Sequence, residues 1–346
     1  QAKQYEVALR AVLKDRGIDS SIVILTSTAF TEVEKISAAV AKVASEKNKP
    51  VFCCLLGVFD VSKGIEILER SGIPNFRFPE SAARVVSEMA RFTLWLNRPQ
   101  TRIKKYRVDK KKVEQVFARA RAEGRLFLLE SEAYEVLRAY RFPVIASRLA
   151  RSEQEATAAA RRVGFPVVLK IASPDIIHKV DYGGVRLDLK TEDEVERAYR
   201  EILENIHRRR PGARIAGLTV EEMARAGKEV ILGMNRDAQF GPILMFGLGG
   251  IYVEALEDVS FRLAPIREYS ALAMIKRTKA YKILDGFRGG PVYDIQAIAE
   301  CLLRLSQLVV DFEEIRELDI NPLLVYEKGQ GCRIVDARIV LDGDHA

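Results

Sequence analysis

Residues 166–185 read PVVLKIASPDIIHKVDYGGV, and they form the most informative stretch of this 346-residue chain. An apolar strand pattern contains one lysine, Lys170, and the loop after it contains His178, Lys179 and the pair Gly183–Gly184. Backbone N–H groups of a glycine-containing loop, together with an ammonium group, are suited to bind polyphosphate oxygens. A neutral imidazole can also accept a phosphoryl group near neutral pH. The stretch therefore predicts a phosphate-binding strand and loop, with His178 as the candidate acceptor.

Each part of this pattern is common on its own in proteins without such a site. A lysine at a strand end is usually solvated, a Gly-Gly pair is usually a turn, and a single loop histidine usually lies on the surface. The other two histidines are His207, in a polar helical run, and His345, the penultimate residue. Neither has a phosphate-binding loop beside it, so the prediction depends on the combination around His178 and on the motifs downstream.

Length and composition indicate an ordinary globular protein. A chain of 346 residues suggests two or three domains, and 48% hydrophobic with 30% charged residues is typical of soluble proteins. No apolar run approaches the roughly 20 residues of a membrane span, and no signal peptide is visible. The start at Gln1 rather than Met suggests a fragment, a processed chain or missing leading residues. The four cysteines lack metal-binding spacing, so we expect a cytoplasmic protein with reduced core thiols and no membrane partner.

The positive net charge is concentrated in one segment. Residues 98–125 contain eleven basic and three acidic residues, whereas the whole chain has a net charge of +7, so the rest is close to neutral. Stacking aromatics are sparse there, which argues against a nucleic-acid site. We interpret the segment as a flexible or surface-lying connector, with residues 99–112 as the linker proper.

Residues 1–98 alternate between strand and helix patterns. Short apolar strands joined by helices are typical of a parallel sheet covered on both faces. The residues 57–60 after the second strand are a weak indication of a site, because such sheets bind ligands at the carboxyl ends of their strands. We predict strands at 22–25, 50–56 and 75–78, and helices at 33–45, 61–71 and 79–95.

A second block begins at Val113 and contains helices followed by a run of antiparallel strands. Ser152, with Glu155 three residues later, is a capping-box signature for one of the helices. The predicted helices are 130–140, 152–163, 192–206, 268–277 and 294–311. The predicted strands, besides that of Lys170, are 143–145, 184–189, 218–223, 229–235, 243–246, 260–264, 317–326 and 333–341.

A second candidate site lies around two of these strands. Glu221, Glu222 and Met223 end one strand, and Glu229 begins the next after a short turn. Such a hinge can offer backbone groups to an adenine edge, and Glu229 can accept hydrogen bonds from ribose hydroxyls. From these residues alone, an ordinary surface hairpin with acidic residues is the favoured interpretation.

A third candidate site combines oxygen ligands on two neighbouring strands. Asp319 and Asn321 share one face of a strand by the two-residue period, and Asp336 lies on the strand that follows. An Asp-x-Asn pair in an otherwise apolar strand is costly unless it is used. Mg²⁺ takes one or two protein carboxylates and completes its shell with water and phosphate oxygens. The pattern therefore predicts a Mg²⁺–nucleotide site.

Taken together, these motifs resemble those of a known family. Residues 113–346 resemble the ATP-grasp domain of NDP-forming acyl-CoA synthetases, relatives of succinyl-CoA synthetase, and residues 1–98 are similar to their flavodoxin-like (succinyl-CoA ligase-like) domain. The resemblance implies an α/β chain, in which a flavodoxin-like parallel-sheet domain precedes an ATP-grasp fold of two α+β subdomains, 113–220 and 221–346. The matching motifs are VLK at 168–170, SPDIIHK at 173–179, GGV at 183–185, EEM at 221–223, QFGPILMFGLGG at 239–250, DVSFRLAP at 258–265, LDINPL at 318–323 and VDARI at 335–339.

The resemblance implies an ADP-forming acid–CoA ligase (EC 6.2.1.-, 6.2.1.13-like) with a phosphoryl relay between histidines. His178 would receive the phosphoryl group and Lys170 would hold ATP phosphates, helped by Lys179 and the glycines of the loop. Residues 221–223 would bind adenine and Glu229 the ribose. Asn321 and Asp336 would bind Mg²⁺, and Asp319 would orient phospho-His178 or contact the metal.

The family's CoA-binding and ligase domains have no counterpart here, so the resemblance implies a partner subunit or a longer chain, in a hetero- or homo-oligomer. CoA would bind mainly to those domains. The alternative is a non-catalytic nucleotide-sensing module, as in acyl-CoA synthetase-like lysine acetyltransferases. The intact Lys170, His178, Asn321 and Asp336 favour the enzyme.

Overall fold

The computed structural model describes residues 1–46, 48–57, 59–99, 101–176, 178–249 and 258–343. The chain divides into two compact units, residues 1–100 and 101–346. His345, Gly250 of one quoted motif and Val58 of the weak site indication lie outside the described residues. Among the described helices, none has both the length and the hydropathy to cross a bilayer.

The first unit contains a parallel strand pair with helices packed against it. β1 and β2 pair in parallel from Ser21 opposite Val51 to Ser27 opposite Gly57, which confirms the predicted parallel sheet. The core includes Leu9, Val43 and Leu68, one from each of the first three helices. The elements are α1 (Ala2–Lys14), β1 (Ser21–Ser27), α2 (Val33–Ser45), β2 (Val51–Gly57), α3 (Ser62–Arg70) and α4 (Pro79–Leu96).

Two features of this unit differ from the sequence-based expectation. The predicted strand at 75–78 is wrong, because only a single bridge joins Asn75 to Cys53, and the Asn75 side chain accepts a hydrogen bond from the Leu55 backbone at 3.1 Å. Helix α1 had not been predicted.

The polar residue of the weak site indication at residues 57–60 has a structural role. The Asp60 carboxylate accepts from the Ser62 backbone at 2.9 Å and from the Ser62 hydroxyl, so the start of α3 accounts for that polar residue.

The described residues of the second unit form two antiparallel sheets. One has six strands in the order β11-β10-β7-β8-β9, with β12 also paired to β10, and the other has four in the order β3-β6-β4-β5. The elements are α5 (Lys110–Ala122), α6 (Glu130–Ala139), β3 (Ser147–Ala150), α7 (Glu153–Val163), β4 (Val167–Ala172), β5 (Val185–Leu189), α8 (Glu192–Arg209), β6 (Gly217–Glu222), β7 (Lys228–Asp237), β8 (Gly241–Leu248), β9 (Val259–Leu263), α9 (Glu268–Arg277), α10 (Ala280–Leu284), α11 (Ile295–Asp311), β10 (Ile315–Val325), β11 (Cys332–Ile334) and β12 (Ala337–Leu341).

Each sheet of the second unit has its own hydrophobic core. The four-stranded sheet packs with α7 and α8, and the six-stranded sheet packs with α5, α6, α9 and α11. Helices α5 and α6 thus share a core with the strands after residue 228. The two cores therefore divide this unit differently from the sequence-based subdomains 113–220 and 221–346. Helices α5 and α6 belong to the six-stranded core, the elements from β3 to β6 form the four-stranded core, and the chain from β7 onward belongs again to the six-stranded core.

Three strand predictions in this unit are corrected by the pairing. Strands β6 and β7 belong to different sheets, so the predicted strand-turn-strand hairpin is instead a connection between sheets. The predicted strand 143–145 is reduced to one bridge between Val144 and Ile334. The predicted strand 333–341 is divided into β11 and β12, because the chain leaves the ladder at residues 335 and 336.

The basic segment is more ordered than predicted. Helix α5 begins at Lys110, where the Asp109 side chain accepts from the Lys112 backbone, and it buries Val113, Val116, Phe117 and Ala120 at helical spacing. The Arg125 side chain is only 4% exposed and binds both Glu132 carboxylate oxygens at 2.8 Å. Of the two predicted forms, a flexible connector as far as Arg125 is therefore wrong. The surface-lying form is compatible with the structure, because the basic residues include the solvated face of an amphipathic helix.

Candidate functional site

A cleft of about 310 Å³ opens in the second unit, lined by both sheets and by the chain before α6. It collects polar side chains that are far apart in the sequence. These include His178 and Lys179 from the loop after β4, Glu130 from α6, and Asp319, Asn321, Asp336 and Arg338 from the β10–β12 region.

Lys170 lies at the centre of a buried charge cluster. Its ammonium nitrogen is 2.8 Å from Glu130 Oε1 and 2.8 Å from Glu221 Oε2, and it donates to the Val335 carbonyl at 3.1 Å. Burial alone would lower the pKa of Lys170, but the Glu221 and Glu130 carboxylates raise that pKa above its ordinary value. Lys170 is therefore a permanently charged group that joins the two sheets.

Glu221 serves as a counter-ion to Lys170. Its side chain is 1% exposed, and burial raises its pKa, against the opposing effect of Lys170. Neither of its carboxylate oxygens has a hydrogen bond of good geometry, although the ammonium of Lys170 is within ion-pair distance. A carboxylate enclosed in this way is not placed to reach an adenine ring.

The backbone N–H groups of Glu222 and Met223, the two residues after Glu221, are also occupied by hydrogen bonds within the protein. The Glu222 N–H donates to the Ala146 carbonyl at 2.8 Å, and the Met223 N–H donates to the Pro166 carbonyl at 3.2 Å. The Met223 side chain is 36% exposed, so an adenine contact would fall to that side chain. Glu229, at the start of β7, is exposed and is not among the residues that line the cleft.

The glycine pair of the His178 loop (residues 173–176 and 178–184) forms a turn. Gly183 has a φ of +65°, and a Cβ on Gly184 would lie 2.6 Å from the Ile171 side chain. The Gly183 and Gly184 N–H groups donate to Val180 and Lys179 carbonyls at 2.9 and 2.8 Å. Because these donors are occupied, they are not free to cradle a phosphate as the sequence had suggested; the glycines let the loop turn back onto β4.

His178 itself is exposed and faces the cleft. No hydrogen bond or ion pair joins its ring to another residue in the described part of the chain. The next residue, Lys179, forms an ion pair with Glu130. An imidazole with both nitrogens unengaged is available as a nucleophile.

The three predicted oxygen ligands do come together in the cleft. β10 pairs with β12, with Asp319 opposite Arg338, and the Asn321 N–H donates to the Asp336 carbonyl at 3.2 Å. Burial, with the nearby Glu130 charge, raises the pKa of Asp336. Among the described residues, no three His, Cys, Asp or Glu side chains form a self-sufficient metal site, so a metal ion here would need further ligands from a bound molecule.

Two cleft residues, Glu130 and Arg338, had escaped the sequence analysis, as had the buried Tyr134 that contacts Glu130. Glu130 accepts hydrogen bonds from Lys170 and from the Tyr134 hydroxyl, each at 2.8 Å. Its only sequence signal is an acidic residue in the first turn of a predicted helix, a common preference at helix N-termini. Arg338 lay within a quoted motif, but nothing in the sequence assigned it a role.

Replacing Asp319 with asparagine should raise the melting temperature at pH 7.5. Burial and the neighbouring Asp336 raise the pKa of Asp319 to about 6, from 3.8. Between those pH values the folded state holds a proton that the unfolded state has released, so the free energy of unfolding falls as pH rises. Asparagine avoids this penalty, so the gain over wild type should be larger at pH 7.5 than at pH 4.5, as measured by differential scanning calorimetry. An equal gain at both pH values would contradict the assignment.

Comparison with known proteins shows which family the chain belongs to. Residues 119–341 match the family model described as an ATP-grasp domain. The chain is 41% identical over 338 residues to a 4-hydroxybutyrate–CoA ligase [ADP-forming] of Nitrosopumilus maritimus, covering 98% of this chain and 48% of that ligase. The chain thus spans about half the length of that relative.

Two further relatives each match about two thirds of the chain. The β subunit of acetate–CoA ligase [ADP-forming] I of Pyrococcus furiosus is 46% identical over 230 residues, which cover 66% of this chain and 98% of the subunit. A solved structure of the acetyl-coenzyme A synthetase 1 of Ca. Korarchaeum cryptofilum is described as a complex with coenzyme A and Mg-AMPPCP, with its phosphohistidine segment pointing towards the nucleotide binding site. It shares 48% identity with a TM-score of 0.59, over 66% of this chain and 100% of that one. The chain therefore belongs to the family of ATP-grasp domains found in ADP-forming acyl-CoA ligases.

Proposed function

We propose that this chain is the nucleotide-binding part of an ADP-forming acyl-CoA ligase (EC 6.2.1.-), in which His178 carries a phosphoryl group between ADP and an acyl-CoA site on partner domains. The observation that carries the proposal is the cleft, where the imidazole of His178 lies with Lys179 and three metal-type oxygen ligands. Lys170 is buried beside this cleft and pairs with Glu130 of its lining. The relatives' names are those of CoA ligases. Nothing in the cleft favours the nucleotide-sensing alternative.

The residues divide the chemistry in the following way. Lys170 and Lys179 supply positive charge for the phosphates, and a ring nitrogen of His178 bonds to the γ-phosphorus as the bond to the departing ADP oxygen breaks. Asp319, beside this site, orients the imidazole. Met223 contacts adenine through its side chain and Glu229 reaches the ribose from the start of β7. The glycines Gly183 and Gly184 shape the loop.

The donor set in the cleft fits Mg²⁺ that arrives with a nucleotide. Asn321 offers an amide oxygen and Asp336 a carboxylate, which is the small protein share that this ion takes. The buried cluster holds the carboxyl groups of Glu130, Glu221 and Asp336, and the Glu130 charge helps to raise the pKa of the other two. A bound cation would relieve this repulsion. When bound, Mg²⁺ would neutralise phosphate charge.

The whole reaction needs a CoA site and a second phosphoryl acceptor, which we assign to partner domains on a separate subunit or elsewhere in a longer protein. Assembly into a hetero- or homo-oligomer and a cytoplasmic location are part of this proposal. For the acyl group we propose acetate (EC 6.2.1.13-like). Turnover of acetate against 4-hydroxybutyrate, with the partner domains present, tests that choice.

Alanine at Asn321 or Asp336 should raise the Mg²⁺ concentration needed for nucleotide binding by at least about tenfold, because an oxygen ligand is lost. Thermal shifts with ADP across a Mg²⁺ titration measure this, since a ligand of the native state raises its melting temperature. Asp193→Ala, which removes an exposed carboxylate from α8, is the matched control and should not change the titration. No shift with millimolar Mg-ADP in the folded wild type would overturn the nucleotide site itself.

A further inference from the structure

The His178 loop is anchored to its own sheet by two contacts on either side of the histidine. The Asp175 carboxylate accepts from the Arg214 backbone at 2.7 Å and from its guanidinium at 2.9 Å. The Asp181 carbonyl accepts from Arg209 at 2.7 Å. Both arginines belong to α8 or the turn after it, which covers the four-stranded sheet. Neither of these contacts involves a residue of the six-stranded core.

A third contact of the loop crosses to the other core. Lys179, next to the histidine, forms an ion pair with Glu130 at the first residue of α6. The Glu130 carboxylate is 6% exposed, and its other oxygen accepts from Lys170 and from Tyr134. All partners of this carboxylate are therefore buried or partly buried, and two of them come from the sheet that carries His178.

We propose that Glu130 is a positioning residue that holds His178 in the nucleotide cleft by binding Lys179. This inference rests on the proposed function of His178. Successive Cα atoms are 3.8 Å apart, so the histidine backbone cannot leave the cleft while its neighbour stays bound to α6. Release of the Lys179–Glu130 pair is then the step that allows the loop to carry a phosphoryl group to the partner domains.

The same carboxylate also aligns the phosphate-binding lysine with the histidine. Glu130 binds Lys170 through one oxygen and Lys179 through the other, so the two ammonium groups keep a fixed spacing. Burial would raise the pKa of Glu130, but Lys170 and Lys179 lower that pKa to about 2. The carboxylate is thus charged at any physiological pH, and the loop is not released by ordinary changes of pH.

The test compares Lys179→Gln, Glu130→Gln and their combination. Hydrogen–deuterium exchange of peptides spanning 173–184, without nucleotide, reports anchoring before any phosphate contact exists. In each single variant we expect amide exchange in these peptides to be at least about tenfold faster than in wild type. The rate constant for labelling from γ-labelled Mg-ATP should be about ten- to a hundredfold lower. These factors correspond to the free energy of one charge-assisted hydrogen bond. The double variant should be no worse than the more impaired single variant, because both remove one interaction.

Two controls separate this role from general damage. Glu135→Gln removes a glutamate of the same helix that pairs with Lys112 and Arg119, and it should leave exchange in the loop unchanged. Lys179→Arg should restore protection, since it keeps the cation. Wild-type exchange in both single variants, or additive effects in the double variant, would overturn the proposal. Failure of the wild type to take up label would instead refute the function of His178, while the exchange data would still decide whether Glu130 anchors the loop.

Discussion

His178→Asn abolishes the acid-labile, base-stable phosphoryl label that wild-type protein acquires from γ-labelled Mg-ATP; this is the largest effect that we expect. Asparagine is polar and similar in reach, but its amide nitrogen is not nucleophilic. The ring of His178 has no hydrogen-bonding partner among the described residues, so its removal leaves no buried group unsatisfied. Nucleotide binding and melting temperature should therefore stay near wild type, and mass spectrometry should map the label to residue 178.

The chain offers a matched control for this experiment. His207 is exposed near the end of α8, where its ring contacts the Leu203 carbonyl at 2.8 Å, and it lies outside the cleft. His207→Asn should retain full labelling. Equal labelling of the His178→Asn protein would refute the relay, whereas loss of label in both variants would point to a defect that is not specific to the acceptor.

Local patterns in the sequence were sufficient for most elements of the fold. Helices α2 and α9 were predicted to the residue, because their apolar residues recur at helical spacing between clear boundaries. The helix at 153–163 begins after Ser152, whose hydroxyl accepts from the Glu155 backbone as its signature indicates. These features depend on residues within one or two turns of each other.

Strand pairing was the part that the sequence could not supply. Consecutive strands usually pair, so β6 and β7 had been taken as a hairpin, yet each finds its partners in a different sheet. The choice depends on which apolar faces can be buried together, and that is a property of the whole unit. The same limit applies to β3. Among the described strands it pairs with β6, and its partner residues lie at least 68 positions further along the chain, as in the pairing of Ala150 with Leu218.

The candidate site shows a similar division between local and distant information. Asp319 and Asn321 could be singled out because polar residues interrupt an apolar strand, and the structure places both in the cleft. Glu130 could not, because its importance comes from two lysines 40 and 49 positions away. Glu221 had been assigned to adenine by motif alone, and only its burial against Lys170 shows it to be a counter-ion.

Lys170→Met should cost about 3–5 kcal/mol of unfolding free energy, because it leaves the buried Glu221 carboxylate without a partner charge. For a unit of this size, that corresponds to a melting temperature roughly 6–20 °C lower. The loss should also depend on pH. Burial already raises the pKa of Glu221, and Lys170 opposes this rise. Without the lysine, the pKa of Glu221 in the folded state should therefore lie further above its value of about 4.3 in the unfolded state. The penalty grows as pH rises above that value, and the deficit should be smaller at pH 5 than at pH 8 in urea unfolding.

A second substitution separates stability from function at this position. Lys170→Met/Glu221→Leu replaces the buried pair by apolar groups of similar volume, which is often neutral or stabilising, and Glu130 keeps Lys179 as its partner. The double variant should recover most of the lost stability but should not recover Mg-nucleotide binding, since the ammonium that would hold the phosphates is absent. Lys190→Met, at an exposed pair with Asp188, should change stability by less than about 1 kcal/mol. Nucleotide binding by the stable double variant would show that Lys170 serves only to join the two sheets, and the phosphates would then have to be held by Lys179 and the metal.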